Sequence, residues 1–296
     1  MKAFELIAAK DSRHAVALLA EHGPGARLLA GGTDLLVDLK SAPDVPRVLV
    51  DISRAEDMRG IEVADKGLRI GALVTHTEIL RSPLIREMFP ALADAARSIG
   101  AVQTRNLGTL GGNLATAVPS MDSGPALIAL DATVTLAGPA GARQLTLEQF
   151  FVGPRKTALA QDELLTEVLI PQHNLGKPAH FVKFGLRKGQ ALAIVNVAAS
   201  LWIDPKREVF RAPRIALGAV APTVVRARAA EAYLEGRAVG AEAMAEAGRI
   251  AVAEAKPISD FRASAAYRRD LIAVLTRRAL EGACALARSR REGERK

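Results

Sequence analysis

The chain has 296 residues, 49% apolar and 4% aromatic, with 40 basic and 32 acidic side chains for a net charge of +8. That length predicts two domains, and no run reaches the ~18 apolar residues of a membrane span. A single cysteine, Cys284, excludes an intrachain disulfide and an iron–sulfur cluster held by this chain alone.

The start predicts a cytoplasmic chain: Glu5, Lys10, Asp11 and Arg13 interrupt any secretory apolar core. From Asp11 to Gly23, a cap and apolar residues at helical spacing predict a helix. "ARLLAGGTDLL" (26–36) reads as strand, glycine turn, then short helix or turn, and "RVLVDIS" (47–53) as a buried strand. "GLRIGALVTHTEIL" (67–80) predicts a strand running into a capped helix. "SPLIREMFPALADAARSIG" (82–100) predicts an amphipathic helix on Leu84, Met88, Leu92 and Ala95. "ATVTLAG" (132–138) alternates as a strand, and "PAGARQLTL" (139–147) turns and re-enters one.

Pro171, Gly176 and Pro178 mark a boundary in "LIPQHNLGKPAH" (169–180). The division is a domain over 1–174, a second over 175–288 and a solvated basic tail over 289–296. Beyond the boundary, 180–204 and 211–227 read as strands, and 240–255 and 264–290 as helices, which predicts a small antiparallel sheet backed by helices. Cys284 reads as a buried small residue on a helix face.

Two stretches carry the chemistry. Gly31-Gly32-Thr33-Asp34 and Gly108-Thr109-Leu110-Gly111-Gly112-Asn113 each place side-chain-free backbone beside small polar groups. Such turns let a ligand lie on the peptide plane and can present successive amides to an anion. A pyrophosphate flanked by a larger ligand suits both, although each pair alone is also an ordinary tight turn. Neither is a Walker A or Rossmann motif. No GxSxG is present, and His14, His22, His76, His173 and His180 show no paired spacing for zinc. His76 reads as a helix-start residue or an acid–base group at the ligand, and Arg105-Asn106 as a solvated pair or a phosphate contact.

"LLAGGTDLLVDLK", followed by "TRNLGTLGGNLATAVPSMDSGPALIALDATV", closely resembles the FAD-binding medium subunit of the molybdenum hydroxylases, the carbon monoxide dehydrogenase and xanthine dehydrogenase type. "IGA" at Gly71, "LIP" at 169–171 and "FVKFGLRKGQALAIVNVA" follow in the family's order, so the resemblance runs from Phe4 to Ala287. It implies an α+β fold: a p-cresol methylhydroxylase-type two-part FAD-binding domain, then a small domain of antiparallel sheet plus helices. It also implies FAD contacts at Ala30, Gly31, Gly32, Thr33, Asp34 and Leu35, and at Thr109, Gly111, Gly112 and Asn113. Asp122, Leu165 and Lys183 occupy further cofactor positions of the family, the lysine near the flavin.

The resemblance implies an electron-transfer role, from 2Fe–2S centres of a small partner to an external acceptor. It likewise implies a molybdopterin on a large partner and an assembly that is a dimer of heterotrimers. No general acid or base and no metal ligand are assigned to this chain. Val118 and Met121 depart from the family's Ala-Ser-Pro-Ser-Gly-Asp, at its serine and its glycine. A self-contained flavin oxidoreductase and a non-enzymatic nucleotide-binding scaffold are the alternative readings.

Overall fold

A computed structural model describes residues 3–294. The chain opens with a three-stranded parallel sheet in the order Glu5–Ala8, Val48–Asp51, Ala26–Leu29. Parallel strands need crossovers: the helix Leu35–Ser41 joins the neighbours Ala26–Leu29 and Val48–Asp51, and the helix Ser12–His22 joins the two outer strands. Asp11 caps it by accepting from the His14 amide, and Gly23 ends it at φ +52°. Its buried face, Ala15, Val16, Leu18 and Leu19, packs with Val48 and Val50 in the first of three cores.

An antiparallel sheet follows, ordered Ile61–Ala64, Gly67–Gly71, Leu164–Pro171, Thr133–Gly138, Gly141–Thr146. The strand Leu164–Pro171 returns to its centre from beyond the intervening helices, closing this unit. The predicted single helix over 82–100 is two, Pro83–Met88 and Pro90–Ser98. Pro90 has no amide hydrogen, and its ring disfavours helical backbone at the preceding residue, so Phe89 swings to φ −136°, ψ 58°.

The C-terminal unit is an antiparallel sheet of Ala179–Gly185, Ala193–Ile203, Phe210–Gly218 and Val225–Arg226. Ten of the eleven residues of Ala193–Ile203 are buried, because both faces of the sheet are covered. Ala198 and Ala216 join the core of the preceding unit, against the helix Ser123–Ile128, while the helix Pro90–Ser98 packs on the strand Ala179–Gly185. Val197, Ala199, Leu201, Ile215 and Leu217 join a separate core under the helices Ala241–Val252 and Ala265–Glu294. The run expected as a solvated tail over 289–296 continues that last helix as far as Glu294. Arg290 donates to the carbonyls of Gly176, Glu87 and Met88, and Arg291 to that of Ile203. Among the described residues no helix is long and apolar enough to cross a membrane.

Candidate functional site

Both glycine segments line one cavity of about 770 Å³. The first leaves the strand Ala26–Leu29, turns at Gly31-Gly32 and enters the helix Leu35–Ser41. Two demands make glycine necessary here. A Cβ on Gly31 would lie 1.8 Å from the Leu107 carbonyl oxygen, because the two segments pack backbone to backbone. Gly32 adopts φ +69°, which side chains resist.

The amides of Gly31, Gly32, Thr33, Asp34 and Leu35 donate to no acceptor among the described residues. All five residues line the cavity. Four of the five residues are half-buried and Asp34 is exposed, so the amides open onto the cavity, and such a run of donors forms an anion-binding concavity.

The second segment differs from the turn expected of it. Leu110–Thr116 is a helix with Thr109 as its N-cap, the Thr109 hydroxyl accepting from the Gly112 amide at 3.0 Å. Leu110 donates to Val74 O and Gly111 to Ala72 O, each at 2.8 Å, and Asn113 to Thr109 O at 3.0 Å. Its leading amides are therefore already used and form no second concavity. It offers the cavity side chains instead: Thr109, Asn113 and Thr116. Asn113 Oδ1 accepts from Ser123 Oγ at 2.5 Å, leaving its NH2 group as the free half.

Asp122 lines the same cavity at 5% exposure. Its Oδ2 accepts from Lys183 Nζ at 2.5 Å and its Oδ1 from Asn196 Nδ2 at 2.8 Å. Burial pushes its carboxyl above the ordinary aspartate value, with Lys183 and then Asn196 pulling the other way. Val118 and Met121 also face the cavity, so the two departures in sequence lie at the site itself.

Ten of the expected residues thus come together: Ala30 to Leu35, Thr109, Gly112, Asn113 and Asp122. Three stand outside the wall. Gly111 packs on Ala72, where a Cβ would meet Ala72 Cβ at 2.7 Å. Leu165 is buried in the core of the second unit. Lys183 acts behind Asp122, also donating to Ser98 O at 3.1 Å.

The sequence reading missed the far end of the cavity, where Leu28, Arg155, Thr157, Leu159 and Gln161 meet. Arg155 sits at φ +56° and pairs with Asp38. Four of them stand at every second position of one stretch, 155–161, which carries none of the glycine pattern that marked the other two segments. Burial raises the Asp34 carboxyl, offset by Arg155 and reinforced by Asp38. His76 also reaches the cavity. It is the first residue of the helix His76–Arg81, capped by Thr75 and Glu78 in a reciprocal box. Burial, then Arg105, holds its imidazole down at about 4.

Comparison with known proteins covers nearly the whole chain. The family model described as "FAD binding domain in molybdopterin dehydrogenase" matches residues 2–173, and the "CO dehydrogenase flavoprotein C-terminal domain" matches 180–283. The chain is 34% identical to a putative xanthine dehydrogenase FAD-binding subunit of Escherichia coli K12, covering 92% of this chain and 93% of that one. It is 33% identical to the carbon monoxide dehydrogenase medium chain of Hydrogenophaga pseudoflava, covering 95% and 97%. Among solved structures, carbon monoxide dehydrogenase from that organism superposes at TM-score 0.91 with 35% identity, covering 96% and 98%. Quinoline 2-oxidoreductase from Pseudomonas putida 86 does so at 0.89 with 31% identity, covering 97% and 100%.

Proposed function

This chain belongs to the family of FAD-binding subunits of the molybdopterin dehydrogenases, and on that premise we propose that the cavity between its glycine segments is the FAD site. The observation that carries this is the run of five unpaired amides, Gly31 to Leu35, on the wall of a cavity that also holds Asn113 and Asp122. The donor set fits a dinucleotide. Amides and the Thr33 hydroxyl hold the pyrophosphate, and the close packing at Gly31 fixes their spacing. Thr109, Gly112 and Asn113 form the facing wall, and Asp122 accepts from a polar edge of the ligand. Gly111 and Leu165 shape the site from behind by packing, and Lys183 holds the Asp122 carboxylate in place.

Bound there, FAD supplies a redox centre between iron–sulfur carriers and an external acceptor. This chain positions it and excludes water; we assign no residue as general acid or base. The sole cysteine, Cys284, is buried against Met244 at 3.9 Å, so the thiolates for a cluster must come from another chain. We therefore place this cytoplasmic subunit beside a large molybdopterin subunit and a small 2Fe–2S subunit, in a dimer of heterotrimers. The first domain extends to residue 174, and the second runs from 175 to the end of the helix Ala265–Glu294.

The test is uptake of FAD by the purified chain, read by visible absorption and quenching of flavin fluorescence. Uptake is expected for the unsubstituted chain and its loss for Gly31→Ala, whose new methyl meets the Leu107 carbonyl. A colourless chain that leaves FAD fluorescence unchanged would overturn the assignment. Co-purification from the host, with molybdenum and iron analysis, tests the partners.

A further inference from the structure

His76 is 2% exposed, and its Nδ1 is sealed in the protein with no hydrogen-bond partner. Nε2 likewise has no partner among the described residues, but it is not sealed. A neutral imidazole carries one hydrogen and one bare nitrogen. A buried N–H without an acceptor is the rarer and costlier of the two orphans. Nδ1 is therefore the bare nitrogen, and the hydrogen resides on Nε2.

The ring lies where the two glycine segments cross. The His76 amide donates to Gly108 O at 3.1 Å. One point beside Gly108, where a Cβ would stand, is 3.4 Å from His76 Cδ2 and 3.5 Å from Thr33 Oγ1. The ring edge carrying Nε2 thus flanks the same point as the Thr33 hydroxyl, on the cavity that the free amides line. Resting on the FAD assignment above, we infer that His76 is a binding residue whose neutral Nε2–H donates to a phosphate oxygen of the dinucleotide. Its role is geometric rather than ionic: it adds a fixed donor without a positive charge. In the unliganded chain burial, then Arg105, holds the ring neutral across the physiological range.

The experiment uses the full chain stripped of flavin, with FAD, ADP and riboflavin as probes. His76→Phe keeps a ring of similar size without a donor, and His76→Gln returns an N–H close to Nε2. One hydrogen bond to a charged oxygen corresponds to about 10- to 100-fold in affinity. FAD and ADP binding should weaken by about that factor in His76→Phe and by no more than about threefold in His76→Gln. Riboflavin, which lacks phosphate, should bind both variants like the unsubstituted chain. Independently of any variant, ¹⁵N-imidazole spectra should show the Nε2–H tautomer and a shift of Nε2 on adding ADP. Unchanged FAD affinity in His76→Phe, or an Nε2 resonance that ADP leaves in place, overturns the proposal while the FAD site stands. Failure of the unsubstituted chain to bind FAD removes both.

Discussion

Asp122 and Lys183 form an ion pair with side chains only 6% and 11% exposed. Removing one partner of such a pair strands the other charge, at a cost of about 3–5 kcal/mol, whereas replacing both is often neutral. Asp122→Ala should therefore lower the urea midpoint far more than the double variant Asp122→Leu with Lys183→Met. Equal losses would mean that the two groups are not coupled. Resemblance placed both residues near a cofactor, but neither side chain carries in its own sequence context the fact that they hold each other. Their separation of 61 positions is closed only by strand pairing and the packing of the sheet. His76 also titrates within a useful window. Its folded value, about 4, lies below the ordinary 6.5. The unfolded chain therefore gains a proton that the folded one refuses, and stability falls as pH drops from 6.5 toward 4. His76→Phe should flatten that limb of the stability curve; an unchanged limb would show that another group produces it.

At the level of elements, periodicity located most helices and strands, and capping residues set several ends. Asp11, Thr75 and Gly23 stand where local chemistry needs them, and the structure uses each for that purpose. The second glycine stretch was legible as a segment facing a cavity but not as a helix. Its amides are claimed by the carbonyls of Ala72 and Val74, which reach it only through tertiary packing. The short helices Val102–Leu107 and Arg228–Leu234 have too few turns for a periodic signal. The end of the long C-terminal helix was the least legible element, since charge alone suggested solvent. Arg290 instead fastens it to the linker and to the helix Pro83–Met88. Arg290→Ala should cost about 1–3 kcal/mol and quicken limited proteolysis at 175–178. A variant that melts like the unsubstituted chain and resists protease equally would show that this contact is dispensable.

Across the whole molecule, the joint between the two units holds a fully buried lysine. Lys177 is 0% exposed and its Nζ has no hydrogen-bond partner. Burial depresses it from 10.5 to about 8, Asp131 and Glu231 resisting while Arg214 and Arg226 assist. Between those values the unfolded chain holds a proton that the folded chain has released, so stability rises with pH over that window. Cys284 has the opposite sign: burial raises its thiol from 9.0 to about 11, which removes stability over that range. Comparing Lys177→Met with the unsubstituted chain isolates the lysine. The variant should gain up to about 3 kcal/mol at pH 7, and the difference should vanish by pH 10.5. A difference that is constant with pH would show that Lys177 does not titrate there.

Composition, local periodicity and the order of short motifs determined the class of the chain, the alternation of its elements, its family resemblance and the pairing of two glycine segments that line one cavity. These are properties of neighbouring residues, written in spacing and backbone permissiveness. Tertiary structure decided which amides stay free: Thr109 claims those of Gly112 and Asn113 locally, but Val74 and Ala72 reach those of Leu110 and Gly111 only through the fold, and no acceptor reaches those of Gly31 to Leu35. It also decided that Lys183 reaches the site through Asp122, and that a basic run is a fastening rather than a tail. Each of those outcomes depends on partners distant in sequence, and hydrogen bonds are satisfied by whatever the fold brings near.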